Sequence, residues 1–124
     1  MSEQEYLSRD ALRALQSERL VRLVARLYQH VPFYRERMHA AGVSPADIRW
    51  IEDLHKLPFT TKDDMRQVYP LGLLAVPLTE IEEIHASSGT TGKPVIDAYT
   101  RNDLDIWGEV MGRTLEMGGA TSAD

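Results

Sequence analysis

The stretch that decides the fold reads His85-Ala86-Ser87-Ser88-Gly89-Thr90-Thr91-Gly92-Lys93-Pro94. Its two glycines allow the backbone to take positive φ angles and to turn its N–H groups toward one point. Four hydroxyl side chains add donors that rotate to suit an oxyanion, and Lys93 adds a compact positive charge. The stretch therefore predicts a phosphate-binding loop. A flexible turn rich in glycine, serine and threonine is the alternative.

The flanks distinguish this loop from the Walker P-loop, which reads G-x-x-x-x-G-K-[ST] and leads from a strand into a helix. Two residues separate Gly89 from Gly92, and Pro94 stands where the magnesium-binding hydroxyl would be. Proline also disfavours the helical conformation in the residue before it. The β-formers at 81–86 and 95–100 predict a strand on each side of the loop. The unit is therefore strand–loop–strand, with no helix beginning at Lys93 or Pro94.

Composition and charge narrow the function classes. Of 124 residues, 43% are hydrophobic and 27% charged, as in an ordinary globular domain. The net charge of −5 argues against a general nucleic-acid or membrane-surface binder. The chain has no cysteine, which excludes a disulfide framework, a thiolate metal site and a cysteine nucleophile. No signal-peptide core or membrane-length apolar run is visible, so a cytoplasmic location is expected.

The first part of the chain, residues 1–78, is predicted to be helical. Apolar residues recur at three- and four-residue spacing from Ser8 to His30. Pro32 ends that helix and suits the first turn of a second one, which Gly42 ends. We expect the two helices to form a hairpin whose seam includes Leu20, Leu23, Val24, Leu27, Phe33 and Tyr34.

Shorter elements should follow the helical hairpin. Brief helices are predicted at Glu52 to Leu57 and from Thr60-Thr61 to about Val68, the latter with Asp63 or Asp64 completing its cap. These two acids are interpreted as first-turn residues favoured by the helix dipole rather than as metal ligands. The apolar connector from Pro70 to Pro77 should be buried.

The second part, residues 79–124, is predicted to begin an α/β domain. After the loop and its second strand, Thr100 and Asp103 mark the start of a helix that Gly118-Gly119 ends. Its buried stripe is expected to contain Leu104, Trp107, Val110 or Met111, and Leu115. A sheet of two or three strands is small for a ligand-binding α/β domain, so we expect the chain to be an N-terminal piece of a larger protein.

The loop closely resembles the phosphate-loop motif of the adenylate-forming enzymes. Its His-Ala-Ser-Ser opening is similar to the phenylacetate–coenzyme A ligase branch of that superfamily. Further stretches agree with the branch over nearly the whole chain: Val31-Pro32-Phe33-Tyr34-Arg35, Leu57-Pro58-Phe59-Thr60-Thr61-Lys62, 69–77 and 99–104. One departure is Asp97, a charge in a strand that is usually more apolar in the branch. If the strand is central, Asp97 must find a partner or point outward.

The resemblance implies an enzyme that joins a carboxylic acid to coenzyme A in two steps, at the expense of ATP with Mg²⁺. An acyl-adenylate and pyrophosphate form first, and the coenzyme A thiol then displaces AMP. In the family this loop holds the β- and γ-phosphates, which here would fall to Ser87, Ser88, Gly89, Thr90, Thr91, Gly92 and Lys93. The implied substrate is an aryl carboxylate such as phenylacetate, and a homodimer is possible at full length. No catalytic residue or metal ligand is assigned within these residues.

Two other readings stay open. The chain could be a non-catalytic relic or interaction module that keeps the loop without using it. It could also belong to an adenylate-forming paralogue that uses another acid or serves surface-polysaccharide assembly. A reading frame that continues for about two further domains beyond Asp124 would favour the ligase, whereas a stop codon there would favour the relic.

Overall fold

The computed structural model describes residues 6–87 and 94–121. These residues form four α-helices, α1 (Arg9–His30), α2 (Pro32–Ala40), α3 (Lys62–Gln67) and α4 (Arg101–Met117), and two strands, β1 (Ile81–Ala86) and β2 (Ile96–Thr100). Short 3₁₀ turns lie at Pro45–Asp47, Ile51–Lys56 and Leu78–Glu80. The order of elements is that of a helical region followed by strand, loop, strand and helix, so the predicted α/β fold class is confirmed. No helix within the described residues is long and apolar enough to cross a membrane.

The helical hairpin begins and ends at the predicted residues. The Ser8 hydroxyl accepts a hydrogen bond from the Ala11 N–H and caps α1. After α2, Gly42 takes a φ of +68°. Its N–H donates to the His39 carbonyl, and the Val43 N–H donates to the Met38 carbonyl. This pair of bonds is the Schellman arrangement, which satisfies the last carbonyls of a helix and favours glycine at the positive φ.

The core lies on one side of the hairpin and contains residues that periodicity alone did not select. Leu20 and Val24 of α1 pack with Met38 of α2 and with Ile48, which follows the first 3₁₀ turn. Val31, between the two helices, is also fully buried. Of the predicted seam, Leu20 and Val24 are buried, whereas Leu27, Phe33 and Tyr34 are half-buried.

The prediction for Leu23 is wrong, because its side chain is 52% exposed. It lines an open groove together with the connector residues Leu73, Leu74 and Val76. Leu23 therefore lies off the α1 face that contacts α2. The connector itself is half-buried along its apolar residues, not buried as expected.

Asp64 completes the N-terminal cap of α3 and also joins this helix to α2 through an ion pair. The Thr61 N–H and hydroxyl both donate to the Asp64 carboxylate, so Asp64 and not Asp63 completes the capping box. The Arg37 guanidinium of α2 also pairs with Asp64 and lies 5.3 Å from the centre of the Phe33 ring. The hydrogen bonds from Thr61, reinforced by Arg37, hold the pKa of the Asp64 carboxyl below its ordinary value. This acid is therefore structural, as first-turn acids generally are.

Candidate phosphate-binding hairpin

The two strands that flank the predicted loop pair with each other. β1 and β2 are antiparallel, with Ile84 opposite Ala98 and Ala86 opposite Ile96. Pro94 and Val95 precede β2 without helical conformation. The strand–loop–strand prediction is thus confirmed at both flanks. Of the predicted site residues, Ser87 is described, whereas Ser88, Gly89, Thr90, Thr91, Gly92 and Lys93 lie outside the described residues.

A pair of hydrogen bonds closes the neck of the hairpin. The Ser87 N–H donates to the Val95 carbonyl over 3.0 Å. The Val95 N–H donates in return to the Ser87 Oγ over 3.0 Å. Between residues directly opposite in an antiparallel pair, the second bond ordinarily goes to a backbone carbonyl. Here a side-chain hydroxyl replaces that carbonyl at the rung next to the loop.

An aromatic cluster covers one face of the hairpin close to this neck. The rings of His85 and Tyr99 lie 5.0 Å apart between centroids, and Trp107 of α4 stacks on Tyr99 at 5.4 Å. The His85 and Trp107 rings meet edge to face at 5.6 Å. The His85 Nε2 also lies 3.0 Å from a carboxylate oxygen of Glu83. Helix α4 is therefore fixed to the strands beside the loop.

The sequence analysis did not predict this aromatic cluster, although the alternation of side chains along the strands could have indicated part of it. Alternate residues of a strand share a face, so Glu83 and His85 on β1 lie beside Tyr99 once the strand register is known. The register places Asp97 opposite His85, and Asp97 is exposed. The unexpected charge thus takes the second of its two predicted options and points outward.

The predicted burial of the α4 stripe is wrong within the described residues. Trp107 is 44% exposed, Met111 48% and Leu115 58%. Leu104 is half-buried. Thr100 and Asp103 cap α4 as predicted, and Gly119 ends it with a φ of +95°. The helix therefore forms for local reasons, while the hairpin covers only part of its apolar surface.

A groove of about 760 Å³ opens at the other end of the hairpin. The strand residues that line it include Glu82, Ala98 and Thr100, near the end where Ile81 pairs with Thr100. Its charged lining is mixed, since Arg26 and Arg101 accompany Glu80, Glu82 and Asp103. The groove is therefore separate from the neck of the loop. Across residues 6–87 and 94–121, no three histidine or acidic side chains are grouped so that they could hold a metal ion.

The curated proteins that this chain resembles are coenzyme A ligases. It is 55% identical over 118 residues to a phenylacetate–coenzyme A ligase of Thermus thermophilus, covering 95% of this chain and 26% of that protein. It is 47% identical over 120 residues to the Escherichia coli ligase of the same name, covering 97% of this chain and 28% of that one. No protein-family model matches the chain.

A solved structure supports the same relationship. The structure of 2-hydroxyisobutyryl-CoA ligase with 2-HIB-AMP and CoA superposes with a TM-score of 0.72 at 29% identity. The match covers 78% of this chain and 22% of that structure. The chain thus spans about a quarter of the length of the curated relatives it matches. Within that quarter the chain is similar in sequence to phenylacetate–coenzyme A ligases, and it shares the fold of the matched part of an adenylate-forming coenzyme A ligase.

Proposed function

We propose that these residues supply the ATP phosphate-binding loop of a phenylacetate–coenzyme A ligase. The whole reaction activates an aryl carboxylate as its acyl-adenylate, with loss of pyrophosphate, and then transfers the acyl group to the thiol of coenzyme A. The observation that carries the proposal is the antiparallel pairing of the two strands that flank the run from Ser87 to Lys93 in the sequence. The identity of 46% or more to four ligases of that name supports the same reaction.

The loop composition suits the charge that develops during adenylation. When the carboxylate attacks the α-phosphate, negative charge grows on the departing pyrophosphate. Hydroxyls and glycine N–H groups held in place beforehand stabilise that charge more in the transition state than in the ground state. Lys93 would add a positive charge or brace the loop. Mg²⁺, bound with ATP, would neutralise further phosphate charge, and its ligands are expected outside the described residues.

The hairpin also gives the loop a rigid base. The neck bonds between Ser87 and Val95 hold one end of the loop at a fixed distance from the other. The contact of Trp107 with Tyr99 holds α4 against the same strands. A loop supported in this way loses less conformational freedom when it binds phosphate.

The location and oligomeric state proposed for the full-length ligase follow from the same resemblance. We expect it to act in the cytoplasm, and it could form a homodimer.

The test compares the two half-reactions in the full-length protein. Gly89→Val or Gly92→Val should impair ATP-dependent adenylation much more than thioester formation from supplied acyl-adenylate, because each adds a branched side chain where backbone must approach phosphate. The control is the thermal unfolding temperature of each glycine variant, which should match that of the parent protein if the loop alone is affected. Equal losses in both half-reactions would indicate damage to folding and would contradict the proposed role of the loop.

A ligase for a different small acid is the second candidate. The 2-hydroxyisobutyryl-CoA ligase shares the fold, and its structure contains 2-HIB-AMP, the adenylate of an aliphatic hydroxy acid. Adenylation assays with phenylacetate, benzoate and 2-hydroxyisobutyrate would distinguish the two candidates. Preference for the aliphatic acid would overturn the aryl assignment and leave the loop's role intact.

A further inference from the structure

We infer that Ser87 is a positioning residue, whose hydroxyl sets the entry geometry of the phosphate loop by binding the Val95 N–H. The inference rests on the proposed function and assigns Ser87 a role different from that of the other loop hydroxyls. Its oxygen accepts the Val95 N–H over 3.0 Å, while its own N–H donates to the Val95 carbonyl. Ser87 therefore makes both bonds that close the hairpin at the loop.

Replacing a backbone carbonyl by a hydroxyl at this rung has a structural consequence. A strand ladder that continued through Ser87 would direct its carbonyl toward Val95. Because the hydroxyl takes that hydrogen bond, the Ser87 carbonyl is not needed there and the chain can depart from the strand direction. The N–H of Val95 keeps a partner although Val95 itself is buried, so the ladder ends without an unsatisfied donor. A serine or threonine hydroxyl is short enough to make this exchange.

The same bond prepares the hydroxyl for a role in binding. A serine hydroxyl has one O–H donor besides its acceptor sites. Accepting the Val95 N–H uses an acceptor site and leaves the O–H as a donor, and accepted hydrogen bonds strengthen donated ones. The positioning role requires that the bond to Val95 form before any nucleotide binds, and this distinguishes it from a simple phosphate contact.

The experiment measures the full-length protein without nucleotide and then in each half-reaction. Amide hydrogen exchange at Val95 should accelerate in Ser87→Ala, and adenylation efficiency should fall about three- to tenfold, the weight of one neutral hydrogen bond. Thioester formation from supplied acyl-adenylate should be unchanged. Ser87→Thr, which keeps the hydroxyl, should restore both the exchange protection and adenylation. Ser88→Ala is the matched control and should leave exchange at Val95 as in the parent protein.

Each contrary result has a separate meaning. If Ser87→Ala lowers adenylation but leaves exchange at Val95 unchanged, Ser87 acts by direct contact and the inference is overturned. If exchange accelerates and adenylation is unaffected, the bond closes the hairpin without serving the reaction, and the inference is again wrong. If Gly89→Val and Gly92→Val also leave adenylation intact, the proposed function fails, and the positioning role fails with it.

Discussion

At the scale of single residues, Ser17 joins two parts of the chain that lie far apart in sequence. Its side chain is buried within α1. The hydroxyl donates to the Arg13 carbonyl over 2.8 Å and accepts the Ile51 N–H over 2.9 Å. Two nitrogens of the Arg13 guanidinium donate to the carboxylate of Glu52, the residue that follows Ile51. These bonds hold the second 3₁₀ turn against α1.

Replacing Ser17 by alanine should lower the free energy of unfolding by about 1–3 kcal/mol. The substitution removes the acceptor of the Ile51 N–H and leaves a partly buried donor without its partner. Chemical denaturation of the full-length protein would measure the loss, with Gln29→Ala, at an exposed position of the same helix, as the control. A change no larger than that of the Gln29 variant would show that the Ile51 N–H finds water instead.

Ile48 is a second residue whose importance depends on its position in the fold. It is 2% exposed and packs on Leu20, Val24 and Met38. Ile48→Ala should cost about 2–5 kcal/mol, because it removes buried methyl and methylene groups and leaves a cavity. Leu23→Ala, at a residue 52% exposed, is the matched control and should cost far less. Similar losses for both variants would mean that the groove beside Leu23 is covered in solution.

At the scale of elements, aspartate caps set where α3 and two of the 3₁₀ turns begin. Asp53 accepts hydrogen bonds from the N–H groups of Arg49 and Trp50. It also pairs with the Lys56 ammonium at 2.8 Å. The Lys56 bond and these backbone bonds lower the pKa of Asp53 from 3.8 to about 2. Asp47 and Asp64 cap their own turns, and bonds from Ser44 and Thr61 respectively lower the pKa of each acid.

The Asp53 cap predicts a defined pH dependence of stability. Because the folded-state pKa is depressed, the cap stabilises the fold fully above the unfolded pKa and loses its effect as pH falls through the folded one. The stability difference between the parent protein and Asp53→Asn should therefore be constant above about pH 4. It should shrink between pH 4 and pH 2. Urea denaturation of both proteins across this range would measure it, and a constant difference down to pH 2 would contradict the assigned pKa.

Helix α4 has both of its end caps although much of its apolar surface is not covered by the rest of the described chain. Its capping box and its glycine end are in place, yet Val110, Met111 and Leu115 remain about half exposed. An exposed apolar surface of this kind is typical of a contact with another segment or protein. The curated relatives are nearly four times as long as the matched region, and we propose that in a full-length protein of that kind other segments cover this surface.

At the scale of the whole molecule, the proposed phosphate loop has no evident partners for the rest of a nucleotide among the described residues, 6–87 and 94–121. We expect this chain alone to bind magnesium ATP with a dissociation constant no tighter than about 1 mM, equivalent to roughly −4 kcal/mol. The loop donors would contact only two phosphates, and ordering the loop on binding would cost conformational entropy. Isothermal titration calorimetry would measure the affinity, with Ser88→Ala and Lys93→Ala as controls.

The opposite result of that titration would favour a different function. Micromolar binding that both substitutions abolish would show a self-sufficient nucleotide module, and the non-catalytic alternative would then lead. The division of the chain at residues 78 and 79 also stays a prediction. It would be tested by expressing 79–124 alone and measuring whether the hairpin and α4 fold without the helical region.

The sequence by itself determined the features that depend on neighbouring residues. The caps at Ser8 and Thr100, the positive φ of Gly42 and the two strands beside Pro94 follow from local backbone chemistry and β-propensity. For α3 the sequence predicted a cap without deciding which threonine and which acid form it. The motif from Ser87 to Lys93 could be recognised for a similar reason. Its residues are consecutive in the sequence, so its resemblance to a ligase family is visible without the fold.

Only the tertiary structure decided which distant groups meet. The burial of Ile48 and the exposure of Leu23 depend on which face of α1 packs against α2 and the segment that follows it. The bond from Ile51 to Ser17 joins residues 34 positions apart, and the stacking of Trp107 on Tyr99 requires α4 to fold back on the hairpin. Ser87 is the clearest case. Its residue type indicated phosphate binding, whereas the strand register brought its hydroxyl to the Val95 N–H, because pairing between strands sets which backbone donor each side chain can reach.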